Sequence, residues 1–202
     1  MRVKLSKILV MENNNIRSFF AIPISSVCRQ EINMIVLELK KDLSSDIKWV
    51  NAENLHLTLK FLGEFRPNEI PLIEKMLRPA LSSFKQFQLS FQNFGVFPNN
   101  QKPKVIWIGI RYPKELEQIF QEIENAAENL GFPKEDRGFS PHITIGRVKN
   151  DSHDLFKIGT VIKNKYVDEI CISHVYEVIF YRSNLTPTGP IYTKLFQIPL
   201  KP

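Results

Sequence analysis

Cysteine is scarce in this chain of 202 residues: there are two, Cys28 and Cys171. They stand far apart and have neither the paired spacing of a zinc site nor that of a redox dithiol. They read as separate, buried, reduced thiols in a cytoplasmic protein. Long hydrophobic runs are missing too. No apolar stretch approaches the roughly 18 residues that span a bilayer, so no membrane partner is expected. Residues 1–10 lack the apolar middle and small-residue cleavage site of a signal peptide. Residues 1–15 read as a flexible N-terminal extension closed by Asn13-Asn14-Asn15, ahead of one domain over residues 16–202. No low-complexity segment divides that domain. HExxH, CxxC and DxD patterns are absent, which argues against a metal centre and leaves no cofactor to expect. A Gly-rich phosphate loop and a nucleotide-activating lysine motif are absent as well.

What is present is moderately basic. Lysine and arginine total 27 against 21 acidic residues, a net charge of +6, which favours a polyanionic partner. Residues 16–24 (IRSFFAIPI) read as a buried strand. Ser25 and Ser26 are N-caps for a helix to about residue 41, with Ile32, Ile35, Val36 and Leu39 at helical spacing. A short extended piece at 47–50 precedes a strand over 55–62 that ends at Gly63. Pro67 opens a second helix to about residue 81, and residues 87–94 alternate as a half-buried strand. Residues 105–110 (VIWIGI) read as a strand, and 113–130 as a helix with Leu116, Ile119, Phe120, Ile123 and Ala127 on one face and Gly131 at its end. A short helix within 151–163 and strands over 170–181 and 191–200 follow, the last two joined by turn chemistry at 186–190.

Four histidines are present, and two of them sit in a repeated segment: His56-Leu57-Thr58-Leu59 and His142-Ile143-Thr144-Ile145. In a strand, residues i and i+2 share a face. Each segment therefore presents an imidazole and a hydroxyl on one side and aliphatics on the other. The surroundings repeat as well. Phe19 precedes His56 by 37 residues and Trp107 precedes His142 by 35, with strand, helix, loop and His-Thr strand in the same order. This is an internal duplication, and it predicts two similar lobes related by a pseudo-twofold axis, with the site between them. The expected class is α+β, each lobe holding an antiparallel sheet and helices.

An isolated His-x-Thr in a strand is most often structural. Its recurrence at the same place in both halves calls for another reason. Two histidines alone make a poor zinc site, and His153 and His174, which lack the motif, read as loop and strand-surface residues. Paired imidazoles suit acid-base catalysis near neutral pH. The threonines can hydrogen-bond phosphate oxygens, and Arg147, five residues after His142, can neutralise phosphate charge.

These residues carry a resemblance. The chain resembles the two-histidine (2H) phosphoesterase superfamily, and within it the RNA 2′,3′-cyclic phosphodiesterases, also called 2′-5′ RNA ligase-like proteins. The matching blocks are RSFFAI (17–22), NLHLTLKFLGE (54–64), FGVFP (94–98), PKVIWIG (103–109), GF…EDRGFSPHITIGR (131–147) and SNLTPTGPIY (183–192). Arg137-Gly138-Phe139 departs from the family, which often has proline in the middle. The resemblance implies a bilobal fold with the His-Thr strands facing a central cleft. It implies metal-free hydrolysis of a terminal ribose 2′,3′-cyclic phosphate to a 2′-phosphate, with RNA ends or small nucleotides as partners. By motif position it makes His56 the general acid and His142 the general base, with Thr58, Thr144 and Arg147 on the phosphate.

Phe19, Phe61 and Phe139 are candidates for stacking on a terminal base. Lys60, Lys102, Lys104, Arg137 and Lys149 are candidates for an RNA path if they cluster at the cleft. A monomer is expected. The alternatives left open are a phosphodiesterase of small cyclic nucleotides, ADP-ribose cyclic phosphate or 2′-5′ oligonucleotides, an ATP-independent 2′-5′ RNA ligase, and a non-catalytic RNA-end binder.

Overall fold

The structure is a computed structural model that describes residues 15–43, 46–136 and 138–202. Among the described residues, nine strands form two antiparallel sheets. The first sheet has the order β3-β1-β8-β9, from β1 (Ile16–Pro23), β3 (His56–Phe65), β8 (Glu177–Thr186) and β9 (Gly189–Pro199). The second has the order β2-β6-β5-β4-β7, from β2 (Ile47–Trp49), β4 (Phe87–Phe97), β5 (Val105–Arg111), β6 (His142–Val148) and β7 (Cys171–Val175). Set side by side, β3-β1-β8-β9 and β6-β5-β4-β7 correspond strand for strand, and β2 is the extra one. The duplication expected from the histidine repeat is therefore visible in the sheets.

The helices cross over. α1 (Ser26–Asp42) follows β1 of the first sheet, yet it packs against β7 of the second. α3 (Lys114–Asn129) follows β5 of the second sheet, yet it packs against β3 and against α2 (Ile70–Leu81) of the first. α4 (Leu155–Asn164) lies on β4. Each helix buries one stripe. In α1 it is Cys28, Ile32, Val36 and Leu39, with the Ser25 hydroxyl accepting the Cys28 N–H at the N-cap and Lys40 and Lys41 in the last turn. In α3 it is Leu116, Ile119, Phe120, Ile123 and Ala127, and Gly131 follows with φ +86°. In the core of the first sheet Phe20 stacks on Phe180, and Phe65 meets Phe180 edge-on.

Three expectations are corrected. The strand expected to end at Gly63 continues to Phe65: Gly63 adopts φ +67°, next to a bulge at Leu62, and pairing resumes from Ser18↔Gly63 to Ile16↔Phe65. The single strand expected over 170–181 is two. β7 is an edge of the second sheet and β8 is central in the first, with the chain changing sheets at Tyr176. No glycine, proline, asparagine or aspartate marks the change, so it is invisible in the sequence. Finally, Cys28 and Cys171 are not separate thiols but a disulfide, with Cα atoms 5.6 Å apart across 143 residues. The crossing of α1 to the second sheet sets its first turn on β7. Among the described residues, no helix is long and apolar enough to cross a membrane.

Candidate active site

β3 is an edge strand of the first sheet and β6 lies one strand in from the edge of the second, and the two strands run close together where the sheets meet. In both, the second motif residue is fully buried in the core (Leu57, Ile143), while the histidine and threonine turn to the opposite side. His56, Thr58, His142 and Thr144 line one cavity of about 920 Å³.

The fourth motif residue is a bulge in both strands. Pairing with β1 steps from Ala21↔Thr58 to Phe20↔Lys60, skipping Leu59. Pairing with β5 steps from Trp107↔Thr144 to Ile106↔Gly146, skipping Ile145. A bulge adds one residue and so reverses the alternation beyond it. Position five after each histidine, which strict alternation would bury, returns to the cleft: Phe61 in one strand and Arg147 in the other, both lining the cavity. Arg147 thus reaches the site by way of a bulge.

The same shift turns Lys60 towards α3: it still borders the cavity, but it is buried and its ammonium is taken up by an ion pair, so its charge is not offered to an RNA path. Its ammonium donates to Glu124 Oε1 at 2.6 Å and to the Pro133 carbonyl at 2.9 Å, with both side chains of the ion pair no more than 3% exposed. Glu124 Oε2 in turn accepts the Glu135 N–H at 2.9 Å. The first His-Thr strand is thereby tied, through α3, to the loop that leads into the second.

Both imidazoles are held alike. His56 Nδ1 is 2.7 Å from the Asn54 carbonyl and His142 Nδ1 is 2.8 Å from the Ser140 carbonyl, two residues upstream in each case. A carbonyl only accepts, so each Nδ1 carries a hydrogen and each neutral ring keeps its lone pair on Nε2. Asn54 belongs to a short turn (Ala52–Asn54) capped by Asn51, and its side-chain amide also donates to the Pro190 carbonyl at 3.0 Å. This fastens the β8–β9 hairpin tip, residues 188–192 of which line the cavity.

The walls differ. His56 packs on Phe19 (centroids 4.9 Å apart) and edge-on to Tyr192 (5.2 Å). Burial pushes its pKa from 6.5 to about 4, against the opposing pull of the Asn54 carbonyl. Burial also raises the Tyr192 pKa, and the nearby Arg147 charge opposes that rise. His142 packs on Phe97 (5.1 Å) and Trp107 (6.3 Å). Among the described residues, no three histidine, cysteine, aspartate or glutamate side chains converge.

Of the aromatic candidates, Phe61 is 58% exposed in the cavity wall, whereas Phe19 is 1% exposed beneath Phe61, Tyr181 and Tyr192 and supports the wall from behind. Phe139 lines the cavity while stacked on Phe120 (4.2 Å). Lys102, Lys104 and Lys149 are exposed near the end of β6 beyond Arg147, and Arg137 lies outside the described residues. His153 is exposed, and His174 is an exposed β7 residue bonded to Gln88.

A model of LigT-like phosphoesterases matches the chain twice in succession, over residues 22–107 and 108–192. The chain belongs to this family. The two matches divide it where the duplication does. Among its relatives, a Methanocaldococcus jannaschii protein named RNA 2′,3′-cyclic phosphodiesterase is 39% identical over 181 residues, covering 87% of this chain and 96% of the relative. A Methanothermobacter thermautotrophicus protein of the same name is 33% identical over 180 residues, covering 89% and 96%. A crystal structure from Thermus thermophilus shares the fold, with a TM-score of 0.76 over 91% of this chain and 97% of the other at 24% identity.

Within this LigT-like site, several residues were not foreseen from sequence. Tyr192 stood in a quoted block without a role. Lys48, a cavity residue directly opposite Arg147, carried no local signal and is found only through strand register. The carbonyls of Asn54 and Ser140 are backbone groups that no side-chain motif reveals.

Proposed function

We propose that this LigT-like phosphoesterase is an RNA 2′,3′-cyclic phosphodiesterase that opens a terminal cyclic phosphate to a 2′-phosphate by acid-base catalysis between His56 and His142. One observation carries the reading: two imidazoles, each with Nδ1 bonded to the carbonyl two residues upstream, face one cavity beside two matched threonines. Each ring has one free nitrogen, Nε2, able to accept a proton when neutral and donate one when charged. His142 Nε2 takes a proton from water as the water oxygen bonds to phosphorus. The P–O3′ bond breaks and O3′ takes a proton from His56. Thr58, Thr144 and Arg147 bind the non-bridging oxygens, whose charge persists throughout. Burial alone keeps His56 neutral at neutral pH. The phosphate anion is the neighbour that favours its charged form, so the acid is armed by its own substrate. The homologues that bear the name at 33–39% identity support the substrate.

The test is hydrolysis of a short RNA ending in a 2′,3′-cyclic phosphate, in EDTA, by wild type and by His56→Ala and His142→Ala. Wild type yields the 2′-phosphate, and each variant loses about 10³-fold in kcat. A 3′-phosphate product, or full activity in either variant, would sink the mechanism.

A further inference from the structure

The pairing of β2 with β6 sets Lys48 directly across from Arg147, and β5 sets Val105 on the other side of Arg147. All three line the cavity, and both cations are exposed. Like charges directly opposite each other in an antiparallel pair repel. Among the described residues neither one forms an ion pair with a carboxylate. Two unneutralised cations are thus held together on the wall of a cavity, an arrangement that costs stability until anions occupy it. The pair lies towards the His56 half of the site, because Tyr192 both packs on His56 and feels the Arg147 charge. Beyond it, the Val148 N–H bonds the Lys104 carbonyl and the Lys149 N–H bonds the Asp46 carbonyl, so Lys104 and Lys149 continue the basic end of the sheet. The matching position in the other strand is Phe61, so the charge lies on one side only.

We propose that Lys48 and Arg147 form a two-phosphate subsite. Arg147 takes the reacting phosphate and Lys48 the phosphodiester on the 5′ side of the terminal nucleoside. Cβ atoms of opposed residues are roughly 5 Å apart, which lets one cation meet each of two successive phosphates. The cleft thereby selects strands over single nucleosides. This rests on the cyclic phosphodiesterase reading above and adds the substrate length.

Three substrates test it: adenosine 2′,3′-cyclic phosphate, the same nucleoside carrying an added 5′-phosphate, and a dinucleotide ending in a cyclic phosphate. Wild type favours the second and third over the first by about tenfold in kcat/KM. Lys48→Ala loses that preference and stays within twofold of wild type on the first, and Lys48→Arg restores it. For the dinucleotide, the dependence of log kcat/KM on log salt becomes shallower by about 0.7 in Lys48→Ala. Equal loss on all three substrates, or no loss on any, overturns the subsite. If wild type turns over none of them, the phosphodiesterase reading fails. The subsite is then judged by binding of a 3′-phosphorylated dinucleotide: tenfold weaker in Lys48→Ala supports it, and unchanged affinity refutes it.

Discussion

The two His-Thr strands are one device set in unlike surroundings. Histidine, threonine, the bulge after threonine and the upstream carbonyl that holds Nδ1 are the same in both. The next two positions differ. After the bulge, β3 has Lys60 in the core and Phe61 in the cleft, while β6 has Gly146 and Arg147. The difference teaches that duplication supplied matched imidazole and hydroxyl pairs and divergence gave the cleft a direction. One end is aromatic and the other is charged. At Gly146 a side chain has no room, since an added Cβ would stand 2.9 Å from Ile47 and 3.1 Å from Trp49. At Lys60 the core instead surrounds a complete ion pair.

Breaking that ion pair tests the asymmetry most severely. Lys60→Met leaves Glu124 buried and charged with no cation, and costs about 3–5 kcal/mol in urea unfolding. Lys60→Met with Glu124→Leu removes both charges and recovers most of that loss. If the single variant is as stable as wild type, the pair contributes nothing.

A smaller effect separates the two histidines. The unfolded chain protonates His56 near pH 6.5 and the folded one only near pH 4. The stability gained by keeping it neutral is fully present above pH 6.5 and drains away as pH falls towards 4. Between pH 7.5 and pH 4, wild type should lose roughly 2–3 kcal/mol more than His56→Gln. Parallel curves for the two proteins would show that burial does not perturb this ring.

The smallest effect concerns the aromatic end. Phe61→Ala should raise KM for the RNA end about fivefold with kcat unchanged, the loss of roughly 1 kcal/mol of base stacking. An unchanged KM would leave Phe61 as wall alone.

Much of this was legible in the sequence, because the signals were local. Helical spacing in α1 and α3, the apolar strands and the His-x-Thr pairs each depend on neighbours within a few residues. What escaped was set by partners far along the chain. The bulges at Leu59 and Ile145 leave no compositional mark, so the burial of Lys60 against α3 shows only in the strand pairing. Arg147 is indicated both by its place five residues after His142 and by the family resemblance, although strict alternation would bury it. Cys28 and Cys171 meet only because α1 crosses to the second sheet. Lys48 joins the site through the register of a three-residue strand.

That crossing also governs how the molecule can come apart. The first family match contributes strands to both sheets, and so does the second; β5, over Val105–Arg111, straddles the boundary between residues 107 and 108. Neither half-length fragment owns a finished sheet or the helix that covers it. A chain cut there would offer two bare, sticky surfaces instead of two small proteins. The halves read as a tandem pair in the gene, and in three dimensions they melt together or not at all.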